Sequence, residues 1–307
     1  MSNKISIHCG DWSAVIDTAR GANCISLRNE KYGAKLLREP PTSHESNNPY
    51  LYGMPILFPV NRIEGGRFEF EGREYVFPIN EPSTGCHLHG ELHATLFEAE
   101  EQSDSKIVCS YKADAGEYLG FPHAFEITQE YELSENGLCH TVTVSNLSGE
   151  NMPVFLGFHT TFNTLFTENS LPESIRVYAG ITEEYERNMG VNYLPTGIKP
   201  RFDEVSFALL DGSYKPFDGK ASRHYRGNGK MSVTDLKNRL RMVYENDKKY
   251  GFRLIFNGGE EGYICLEPQT CLANCQNSPF PRTENVFDFI EANGSKMYNS
   301  RIYLEEF

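Results

Sequence analysis

The feature that most constrains how this chain can fold is a period of two in its apolar residues. Phe125, Ile127, Tyr131 and Leu133 alternate with Glu126, Thr128, Glu130 and Glu132. After the turn Ser134-Glu135-Asn136-Gly137, Leu138, Val142 and Val144 alternate with Cys139, Thr141 and Thr143. A strand sends successive side chains to opposite faces, so this pattern predicts a hairpin with one buried and one wet face. Phe68, Phe70, Tyr75 and Phe77 around Glu71-Gly72 repeat it, as do Leu240, Met242 and Tyr244. Gly251–Phe256 and Tyr263–Leu266 are short apolar runs split by Asn257-Gly258-Gly259, and Ile302 and Leu304 form a last strand. Helical periodicity over three turns is missing. Only residues 181–190 read as one or two helical turns. Strands about every ten residues with Gly, Asn and Pro turns predict an all-β chain, a large antiparallel sandwich or barrel. The segment 40–50 reads as a polar loop, and nothing resembles a linker or repeat, so residues 1–307 are expected to form one domain.

Charge narrows the partners. The formal net charge is −13, and the longest basic cluster is the pair Lys248-Lys249, so nucleic acid and anionic membranes are not expected to bind. The start, MSNKISIHCG, lacks the apolar core of a signal peptide, and no apolar run approaches a membrane span. A cytoplasmic protein with reduced thiols is the expectation. Of eight cysteines only Cys271 and Cys275 are close, and the bland reading of buried thiols outweighs a zinc site.

Reactive side chains sit beside rigid backbone in four segments: Phe58-Pro59-Val60-Asn61-Arg62, His87-Leu88-His89-Gly90, Gly157–Asn163 and Ile264–Thr270. On surroundings alone, His159 among Phe155, Leu156, Phe158 and Phe162 reads as a core histidine bonded to backbone. Glu267 before Pro268 reads as the start of a loop, and Arg62 either as a surface ion-pair partner or, after its proline-bounded apolar run, as a fixed, partly buried guanidinium.

The succession GMPILFPVNRIEGGRFEFEGREY, HLHG, LGFHTTFN and ICLEPQT, covering roughly residues 10 to 305, resembles the aldose 1-epimerase (galactose mutarotase) family. The resemblance implies the large β-sandwich of that family, the galactose mutarotase-like supersandwich. It implies His159 as general acid and Glu267 as general base, with Arg62 and His89 contacting the sugar. Asn61 joins them as a sugar contact, and His87 as a further contact or support for His89. Ring opening and closure of a hexose needs one group to take the anomeric hydroxyl proton and another to protonate the ring oxygen. No metal or cofactor is required. Reference pKa values of about 4.3 and 6.5 predict an ionised glutamate and a histidine raised modestly by it. The expected partner is a small aldose, and the expected assembly a monomer or homodimer.

Two departures bear on the substrate. Glu91 stands where the family often has a second glycine. Ser222, in Ala221-Ser222-Arg223-His224-Tyr225, stands where an acid that binds sugar hydroxyls is expected, with Asp218 as the nearby substitute. Three alternatives stay open. A hexose-phosphate epimerase would use Arg67, Arg73 and Arg223. A metal enzyme of the cupin kind would use His87, His89 and a later glutamate. A carbohydrate-binding protein would keep the fold without the reaction.

Overall fold

The computed structural model describes residues 3–41 and 48–307. Of the polar segment 40–50, residues 42–47 lie outside the described residues. The alternating segments are strands: Phe125–Ser134 pairs antiparallel with Gly137–Asn146, with the apolar phase buried and the charged phase outward. Arg67–Phe70 and Arg73–Val76 form the second hairpin.

Two large antiparallel sheets organise the chain. The first runs in the order Glu98–Gln102, Lys106–Ala113, Phe125–Ser134, Gly137–Asn146, Ser295–Glu306, Leu240–Asn246, Gly229–Asp235 and Ile175–Tyr178. The last strand of the chain thus sits in the middle of the sheet and joins its earlier and later halves. The second runs Ile181–Tyr185, Ser222–Gly227, Phe252–Asn257, Tyr263–Gln269, Gly157–Phe158 and Ile56–Leu57, and Thr161–Asn163 also pairs with Tyr263–Gln269. Lys4–Cys9, Trp12–Asp17, Asn23–Asn29 and Ala34–Lys35 make a smaller sheet.

The two large sheets face each other through identifiable contacts. His140 meets Phe158 edge to face at 4.9 Å, Phe162 meets Tyr244 at 5.5 Å, and Thr160 Oγ1 lies 3.2 Å from Tyr244 Oη. Arg253 crosses the gap to the carbonyls of Gly229 and Lys230 at 3.0 and 3.1 Å. Buried side chains from Ile7 to Ile302 form one apolar cluster. This is the large antiparallel β-sandwich that the alternation predicts.

Strand parity then decides where chemistry can occur. Residues 158, 160 and 162 point into the gap between the sheets, so 157, 159 and 161 point to the other face. Gly157 pairs with Gln269 and Thr161 with Cys265, a register that sets His159 opposite Glu267. Both side chains therefore emerge on the outer face of the second sheet.

Two expectations are corrected. Residues 181–185 are a strand rather than helical turns, and a register shift between Ile181 and Glu183 buries both Glu184 and Tyr185. The bulge breaks the period of two that would have revealed the strand. A two-turn helix, Glu204–Asp211, is also present, with the Asp203 carboxylate accepting from the Ser206 amide at 3.0 Å and Gly212 closing it at φ +80°. Among the described residues no helix is long and apolar enough to cross a membrane.

Candidate active site

Glu267 lies in the middle of the strand Tyr263–Gln269 and is 1% exposed. His159 Nε2 sits 3.2 Å from its Oε1, and the histidine is 9% exposed. The other carboxylate oxygen accepts from Gln269 Nε2 at 3.3 Å. Gln269 Oε1 in turn accepts from Asn61 Nδ2 at 3.1 Å, and Asn61 Oδ1 accepts from the Arg62 amide at 3.0 Å. Asn61 thus orients Gln269, which orients Glu267.

Electrostatics in this pocket differ from the sequence-based expectation. Burial pushes Glu267 up to about 8, against the lowering pull of Arg187, Gln269 and Arg62. Burial also pushes His159 down to about 4, rather than a carboxylate raising it. Burial is the leading cause at both groups, and it favours a carboxylic acid beside a neutral imidazole in the free site. Glu267 Oε1 and His159 Nδ1 are buried without a hydrogen-bond partner among the described residues. Leaving such atoms unpaired costs about 1–3 kcal/mol each, the signature of groups whose partner comes from outside the chain.

His89 completes the wall. The strand Cys86–Leu88 ends just before it, and φ of +63° turns its ring away from the run of the strand. Its Nδ1 accepts from the Asn61 amide at 3.3 Å, and its ring meets His159 edge to face at 5.9 Å. Gly90 permits the approach: φ is +64°, and a Cβ there would come within 1.9 Å of the Phe58 carbonyl oxygen. Glu91 has φ of −128°, which any residue adopts, so the second glycine is not demanded here. His87 is placed differently: its Nδ1 lies 2.7 Å from the Pro78 carbonyl and its ring packs on Phe77.

Arg62 lies at the rim. Its Nε and Nη2 donate to Glu81 at 2.6 and 2.7 Å, and its guanidinium covers Tyr193 at 4.7 Å. Asp218 is exposed in a turn where its amide donates to Lys215, and its charge lies beside Tyr214 rather than Glu267. Ser222 faces the same side as Glu267 and accepts from Arg187 Nη2 at 2.8 Å. Three neighbours escaped the sequence reading. Gln269 was legible as the i+2 partner of Glu267 on one strand face. Arg187 followed the bulged strand and gave no signal. Tyr50, whose ring lies 4.9 Å from His89 and 5.9 Å from His159, stands in a segment with no periodicity.

Arg67, Arg73 and Arg223 pair with Glu74, Glu150, and Glu184 with Asp203, and Arg223 points to the opposite sheet face from Glu267. Among the described residues the grouping suited to a metal is His159, Cys265 and Glu267, not His87 with His89. In that grouping the Cys265 sulfur lies 3.3 Å from Thr161 Oγ1.

A family model described as aldose 1-epimerase matches residues 4–285. The chain belongs to the aldose 1-epimerase family. A galactose mutarotase-like protein from Clostridium acetobutylicum shares 28% identity and superposes with a TM-score of 0.92, covering 99% of this chain and 95% of that one. Galactose 1-epimerase from Lactobacillus acidophilus NCFM superposes at 0.72 with 13% identity, over 99% of this chain and 94% of its own, a likeness of fold. The uncharacterized protein YphB of Escherichia coli K12 is 28% identical over 108 residues, 35% of this chain and 36% of its own length. The uncharacterized YihR of the same strain is 26% identical over 157 residues, 50% of this chain and 48% of its own length. These alignments span about a third and about half of the two curated relatives.

Proposed function

We propose that this family member interconverts the α and β anomers of a hexose, with Glu267 and His159 as its acid–base pair. The observation that carries the reading is the 3.2 Å contact between His159 Nε2 and Glu267 Oε1 on a buried sheet face. The anomeric hydroxyl and the ring oxygen hang on one carbon, so two groups this close can address both. Carboxylic acid plus imidazole has the same proton count as carboxylate plus imidazolium. One acid and one base are present in either form, which differ only in which of the two groups carries the proton. Ring opening moves a proton from the anomeric hydroxyl to the base while the acid protonates the ring oxygen. Closure on the other face of the aldehyde reverses both steps. Arg62 and His89 bind and orient the ring, and Asn61 and Gln269 hold the carboxyl in place.

Polarimetry of freshly dissolved α-glucose and α-galactose tests this. The protein should speed the decay to the unchanged equilibrium rotation, and Glu267→Gln should lose at least about 100-fold of kcat, the usual worth of one acid–base group. A Glu267→Gln protein as fast as the wild type would remove that residue from the mechanism.

A further inference from the structure

One charge near the proposed acid–base pair is left over. Arg187 is 7% exposed, yet among the described residues no carboxylate lies within 4.0 Å of it. Its one side-chain hydrogen bond is the 2.8 Å contact to Ser222 Oγ. Arg253, also buried, is satisfied by the carbonyls of Ala179, Gly229 and Lys230. Arg62, Arg67, Arg73 and Arg223 each have a carboxylate partner. Arg187 alone in this comparison has neither. Its field reaches Glu267 and Arg62, which places it on the same pocket. His224 stands two residues beyond Ser222 on the same strand face, is 0% exposed, and has no partner at either ring nitrogen.

A largely buried guanidinium with no counter-ion is costly to keep. The cost is recovered if the counter-charge arrives with the ligand. Ser222 accepts from Arg187 and so keeps its own O–H free to donate, and His224 can donate from one ring nitrogen. Together they offer three donors on the Glu267 side of the sheet, where an acid that would repel an anion was expected. We propose that the pocket takes a hexose bearing one negative charge, a hexuronic acid whose carboxylate is received by Arg187, Ser222 and His224. This rests on the anomer-interconverting reading for its catalytic arm only. One uncompensated cation suits a monoanion. A phosphate dianion would need a second, and the other arginines named above are already paired.

The test compares galacturonate with galactose and glucuronate with glucose, by anomer-exchange NMR for rate and calorimetry for binding, with glucose 6-phosphate as a third arm. Wild-type kcat/KM should favour at least one uronate over its neutral parent by about tenfold, and Arg187→Gln should bring that ratio near one. Ser222→Ala and His224→Gln should each lower it, which keeps the proposal testable if Arg187→Gln fails to fold. A ratio near one in the wild type overturns the proposal. So does an Arg187→Gln loss that falls equally on charged and neutral sugars, because Arg187 then serves Glu267. Preference for the phosphate over both uronates overturns the monoanion assignment. Uronate binding that depends on Arg187 without turnover of any sugar would sink the catalytic reading and leave this one standing. Turnover of neutral aldoses without uronate preference would do the reverse.

Discussion

Burial pulls Glu267 and His159 in opposite directions, and both toward neutrality. Glu267 has a folded pKa of about 8, above its ordinary 4.5, so its contribution is complete below about pH 4.5 and is lost as pH rises through 8. His159 has a folded pKa of about 4, below its ordinary 6.5, so its contribution is present above 6.5 and is lost as pH falls through 4. Replacing Glu267 by Gln removes the first effect. Glu267→Gln should melt higher than the wild type, with a gap that opens between pH 4.5 and 8 and reaches on the order of a few kcal/mol. Melting curves at pH 5 and 8.5 check this, and a gap that is constant across that range would mean Glu267 is not held in its acid form. The sequence named the two residues but had their charges reversed. Reference pKa values see neighbours in a motif and not the loss of water around them.

Among the elements, the connection from His87 to Glu91 does most to shape the site. A strand continuing straight on would send the rings of His87 and His89 to one face, as the two-residue spacing suggests. Positive φ at His89 and Gly90 breaks that parity, and the rings go to separate partners. Gly90→Ala would force a Cβ against the Phe58 carbonyl in a backbone conformation that alanine resists. It should cost at least about 2 kcal/mol of stability and weaken sugar binding through His89. Glu91→Gly, at an unstrained and exposed position, should cost less than about 1 kcal/mol. Chemical denaturation of the two variants checks the contrast, and equal losses would show that the turn does not fix His89. The same kind of break hid other elements. The bulge in Ile181–Tyr185 concealed a strand, and eight residues capped by Asp203 and Gly212 were too short a helix to show a period.

For the whole molecule, most of the architecture was legible because a sandwich repeats one local rule. Wherever alternation was regular, as in Phe125–Ser134 and Gly137–Asn146, strands and their buried faces followed. What could not be read was which sheet faces meet, since that depends on contacts such as Phe162 with Tyr244 between distant segments. The register of Gly157 with Gln269 and Thr161 with Cys265 is equally non-local, and it is what brings His159 to Glu267. Arg187 and Tyr50 enter the pocket from irregular segments, where no pattern marks a position as inward. Asp218 illustrates the opposite error, since closeness along the chain to Ser222 does not carry it to the sheet face. The proposed reaction rests on His159 and Glu267 acting together as one acid and one base. The most direct measurement is the pH dependence of kcat/KM for anomer interconversion. A bell with limbs near pH 4 and pH 8 is predicted, because below about 4 the pair has no base and above about 8 it has no acid. A single limb near pH 6.5, or a wild-type profile surviving in Glu267→Gln, would contradict it.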